Sequence, residues 1–146
     1  MSDDSAIQKF VPAIAWYRPF EPFAYGFIRF CTGAILVTHG IDRLFYSGSR
    51  TDVGGSLAFL PTSALGGFEL VGGLFIALGL LTRPIALLFA IEWILIAMAV
   101  PLRPGASWFM LGGTGKYPAL VAGLCIAFVL RGGGHHSVDS RLGKEF

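Results

Sequence analysis

The sequence predicts an all-α integral membrane protein built as a four-helix bundle, and three observations predict it. Of its 146 residues, 54% are hydrophobic and only 14% charged, whereas a soluble domain carries about 25% charged residues. The apolar residues gather into four long runs separated by turn-rich or charged segments. Strands are excluded because an open sheet leaves backbone groups unpaired in lipid, and the chain lacks the short alternating segments of a barrel.

Taken in order, residues 1–22 form a polar segment, acidic at first and then Pro-rich, without the basic start and adjoining apolar core of a cleaved signal peptide. The first span is therefore expected to be retained. Apolar runs cover residues 23–45, 64–81, 84–100 and 111–130. A span needs about 20 residues at about 1.5 Å each, so the second and third are short before their flanks are counted. Leu81, Thr82, Arg83 and Pro84 make a very short connection, and proline suits the first turn of a helix. Runs two and three are then an antiparallel hairpin. After Leu130, the sequence Arg131, Gly132, Gly133, Gly134 stops the last helix and begins a polar tail. The expected organisation is a polar segment 1–22, a four-helix transmembrane domain 23–131 and a polar tail 132–146. Six basic residues lie on the side of the termini against four opposite, which places both termini in the cytoplasm.

Gly33, Gly66, Gly72 and Gly73 are candidate helix-packing positions. Gly66 and Gly73 recur at seven residues on one stripe with Glu69. Small residues allow the close backbone approach that membrane helices depend on.

The functional lead is the set of ionisable residues inside these runs: Arg29, His39, Asp42, Glu69 and Glu92. At bilayer depth such groups face the bundle interior, where they pair or line a path for a ligand. Counting depth along alternating helices matches Arg29 with Glu92 and His39 with Glu69, and Arg29 also has the reach for Glu69. Asp42, one turn after His39, offers a carboxylate to orient the imidazole. Two readings stand together: a structural ion-pair network, or a polar pocket that holds a quinone head and handles protons. No catalytic residue is identified. No CxxC, CxxCH or HExxH occurs, so no metal site is expected, and Cys31 and Cys125 read as small buried side chains. The net charge of +2, without interleaved basic and aromatic residues, excludes nucleic-acid binding.

Several stretches carry a family resemblance. Residues 29–45, RFCTGAILVTHGIDRLF, and residues 66–84, GGFELVGGLFIALGLLTRP, resemble the first and second helices of the DoxX family of small bacterial membrane proteins. The Gly-rich stretch 113–117, with Ser137, Val138, Asp139, Leu142 and Gly143 in the tail, is similar to the same family. The chain departs from it at Lys116, Tyr117 and Pro118, where relatives often carry an acidic residue between aromatics. The resemblance implies a multi-pass inner-membrane protein, and some relatives are subunits of thiosulfate:quinone oxidoreductase or terminal quinol oxidase systems. The expected function is an accessory, quinone-associated subunit of a redox system, with a quinone as ligand and the bilayer, a membrane protein or a second copy of the chain as partner. The alternative is a non-catalytic assembly protein that packs against a partner through its glycine faces.

Overall fold

The computed structural model describes residues 20–46, 62–99 and 116–143. Among these residues five helices follow one another: α1 (Glu21–Phe45), α2 (Thr62–Leu78), α3 (Thr82–Ala99), α4 (Lys116–Arg131) and a single turn, α5 (Val138–Arg141). Helix α1 opens with Pro22 in its first turn and Glu21 beside the positive end of the helix dipole, and Arg43 lies in the last turn. Helix α2 ends three residues before the sequence pattern predicts. Gly79 turns into the left-handed region at φ 74°, and Leu81 follows at φ 48°. Glycine carries no penalty there, but Leu81 does, so the turn needs support from elsewhere. The N-terminal segment, both long linkers and the start predicted for the fourth helix at residues 111–115 lie outside the described residues.

Glycines set the packing. Along α1, Arg29, Thr32, Gly33, Leu36, Gly40 and Arg43 make one buried stripe, and α2 lies directly on it. A Cβ at Gly33 would stand 2.5 Å from the Gly73 carbonyl oxygen, one at Gly73 2.8 Å from the Val37 nitrogen, and one at Gly40 2.5 Å from the Leu70 nitrogen. The two backbones touch, with Gly33 and Gly40 on one helix meeting Gly66 and Gly73 on the other at the same spacing of seven. Gly72 faces the opposite way, where a Cβ would meet the Phe89 ring of α3 at 2.8 Å. The sequence singles out four of these five positions and misses Gly40.

The core joins Leu36, Ile76, Phe89, Trp93, Ile96, Val121 and Phe128 from all four long helices. Large apolar side chains cover the outside as well, among them Phe23, Phe27, Leu74, Leu87, Leu88, Leu120 and Leu130. Helices apolar all round suit lipid and not water. By length and composition α1 and α3 are long and apolar enough to cross a membrane, while α2 is a shorter apolar helix.

The tail is polar but not free. Residues 132–143 fold back under the bundle, Ser137 caps α5 by accepting from the Ser140 N–H at 3.0 Å, and both Ser137 and Asp139 are buried. The Asp139 carboxylate accepts from the Leu81 N–H at 2.9 Å and from the Thr82 N–H and hydroxyl at 3.1 Å each. Its own N–H donates to the Gly79 carbonyl at 3.0 Å. Asp139 thus caps the N-terminus of α3 from a distant part of the chain and holds the unfavourable Leu81 conformation in place.

Candidate functional site

Four ionisable side chains from three helices meet in the upper half of the bundle, away from the tail. Arg43 of α1 places Nη1 3.1 Å from Glu69 Oε1 of α2 and 3.3 Å from Glu92 Oε1 of α3. His39 Nδ1 lies 3.1 Å from Glu69 Oε2. Arg43 is 3% exposed, Glu69 0% and Glu92 6%, so two carboxylates share one cation out of reach of water. The His39 ring stands edge-on to Trp93 at 5.2 Å between centroids, and Trp93 stands edge-on to Tyr117 at 5.5 Å. An aromatic wall from α3 and α4 therefore lines one side of the polar cluster, and the His39 side chain stays 28% exposed.

Two predictions of the sequence are corrected here. Arg29 is buried but pairs with neither glutamate; its Nη2 donates to the His136 carbonyl at 2.9 Å, and its guanidinium lies over Gly79. Matching depths assumes that all helices begin at one level, but α1 starts well below the turn that joins α2 to α3. Arg29 thus sits level with Gly79, whereas Glu92 lies ten residues up α3, about 15 Å higher. Direction matters as much as height. Helical side chains lean toward the N-terminus of their helix, so Arg29 reaches down toward the tail and Arg43 reaches down into the bundle. Arg43 ends the same apolar run as His39 and Asp42 and counts among the basic residues on the side opposite the termini, so the sequence alone assigns it no partner in the site. Asp42 is the second correction. It is exposed, and Glu69 is the carboxylate that meets His39.

Several polar atoms of the cluster are buried without a hydrogen bond: Nε and Nη2 of Arg43, Oε1 of Glu69, Oε2 of Glu92 and Nε1 of Trp93. Buried polar groups are ordinarily satisfied, and orphans gathered in one place need an explanation. Glu69 Oε1 still has the Arg43 charge beside it. What is left over is two kinds of donor, a guanidinium and an indole, and one carboxylate acceptor.

This geometry defines a class: a small all-α membrane protein with a charged, aromatic-walled site between its helices. Residues 25–102, more than half the chain, match the DoxX family, and the chain belongs to that family. The matched region contains Arg29, His39, Arg43, Glu69, Glu92 and Trp93. No curated protein and no solved structure matches the chain.

Proposed function

We propose that the protein is a four-span inner-membrane subunit, termini in the cytoplasm, that binds a quinone head between α1, α2 and α3 and works beside a redox partner. The observation that carries this reading is the set of unsatisfied atoms around Arg43. An oxidised quinone offers carbonyl acceptors, which suit the free donors of Arg43 and Trp93. The reduced quinol offers hydroxyl donors, which suit Glu92 Oε2. A site that holds both kinds of free group accommodates either redox form. Reduction of the quinone takes two electrons and two protons; the partner supplies the electrons, and Glu92, His39 and Glu69 form a chain of groups able to pass protons. The surrounding apolar helices suit the isoprenoid tail.

The alternative of a purely structural assembly protein needs free glycine faces. Gly33, Gly40, Gly66 and Gly73 are used between α1 and α2 of the same chain, and Gly67 and Gly123 have open space around them. Purification in mild detergent followed by mass spectrometry of extracted lipids tests the reading. Quinone retained near one per chain is expected, and under reducing conditions quinol retained by the parent and depleted in Glu92→Gln. Quinone retained only at the level of an unrelated membrane protein would refute it.

A further inference from the structure

Arg29 is a second buried cation, fourteen residues from Arg43 on the same stripe of α1 and therefore about 21 Å away along the helix. It is 2% exposed, and its Nε and Nη1 have no acceptor. No carboxylate among the described residues lies within ion-pair distance of it. The two described acids at this end are engaged elsewhere: Asp139 on the backbone of Leu81 and Thr82, and Glu21 on Arg131 at 2.6 Å. Arg83, at the start of α3, likewise has a buried Nε without a partner. Among the described residues this end of the bundle therefore carries more positive charge than its acids match.

Arg29 and His136 line a groove of about 510 Å³ with Phe23, Gly26, Phe27, Phe30 and Ala77. The three phenylalanines lie at i, i+4 and i+7, one face of α1, and are more than half exposed. We propose that this groove is a specific site for an anionic lipid, whose head is held at Arg29 under the rim formed by His136 and whose acyl chain lies across Phe23, Phe27 and Phe30. The chemistry of both ends selects the occupant. A guanidinium with free donors calls for a phosphate or carboxylate, and the apolar stripe leading away from it calls for hydrocarbon. A free inorganic anion would leave the stripe unused, and a zwitterionic lipid would bring its own cation to a face that already has too many. Because the His136 side chain is exposed, its ring can swing aside to admit the head while its carbonyl stays on Arg29.

The test uses the full chain reconstituted with equal phosphatidylcholine and phosphatidylglycerol, then extracted and measured by native mass spectrometry for bound lipid. The expected result is retention of phosphatidylglycerol over phosphatidylcholine by at least fivefold. Arg29→Gln should abolish that preference. Should this variant fail to fold, His136→Glu serves instead, since it alters an exposed side chain and keeps the backbone carbonyl; it should lower the preference at least threefold. In the same protein, phosphatidylglycerol should raise the melting temperature and millimolar inorganic phosphate should not. Equal retention of the two lipids, a preference unchanged in both variants, or an equal shift from inorganic phosphate would each overturn the proposal. So would a preference that emerges only after removal of residues 1–19, because that would make the N-terminal segment the natural occupant.

Discussion

Replacing Arg43 with methionine is the most informative single perturbation of the bundle. The side chain keeps most of its length, so the change removes charge and donors more than volume. At 3.1 and 3.3 Å from Glu69 and Glu92, the guanidinium is worth about 5 kcal/mol to each carboxylate at an effective dielectric of about 20. Desolvation of all three groups offsets much of that gain. What survives is the cost of leaving two carboxylates together in the core with only His39 beside them, and removal of one partner from a buried pair typically costs about 3–5 kcal/mol. The cluster predicts a loss of that size for Arg43→Met, read by thermal or denaturant unfolding in one fixed detergent. It predicts in addition that Glu69→Gln and Glu92→Gln, added to Arg43→Met, restore most of the loss, since neutral amides no longer need the cation. A loss below about 1 kcal/mol, or a triple variant that adds the three losses without recovery, would refute a buried network.

Three further outcomes follow from the packing and topology. Gly73→Leu should destabilise by at least about 2 kcal/mol because even its Cβ meets the α1 backbone, whereas Leu74→Phe on the exposed face should change stability by less than about 1 kcal/mol; equal losses would count against the glycine contact. Asp139→Ala should cost about 2–3 kcal/mol by releasing three donors at the start of α3, and hydrogen exchange should quicken first at Leu81 and Thr82. In whole cells, single cysteines at Arg83 and in the tail should label from the same side, opposite to cysteines at Arg50 and Arg103; any other pattern contradicts four spans with cytoplasmic termini.

The sequence makes legible whatever depends on periodicity and solvent. The apolar runs, the hairpin of α2 and α3 and the glycine spacing of α2 all follow from local pattern, and counting depth along the helices also brings His39 to Glu69. Arg43 and Arg29 exchanged roles because a sequence gives the height of a residue and not the level at which its helix begins or the way its side chain leans. Trp93 stands deep in its apolar run, and its place in the site shows only when His39 and Tyr117 are found on either side of it. The tail reads as solvated from its glycines and charges. Asp139 is buried there because the left-handed turn at Gly79 and Leu81 leaves donors at the start of α3, and that need is visible only in three dimensions.

The central claim is that the cluster around Arg43 binds a redox-active head group, and equilibrium titration through Trp93 tests it most directly. With Trp16 and Trp108 replaced by phenylalanine, emission reports on Trp93 alone, which lies against His39 within the site. A short-chain benzoquinone should quench that emission saturably at one per chain. Glu92→Gln, which replaces the free carboxylate with an amide, should weaken the quinol at least tenfold, about 1.4 kcal/mol, and the quinone by much less. Quenching that rises linearly with quinone in the lipid phase, identical in parent and Glu92→Gln, would contradict the account.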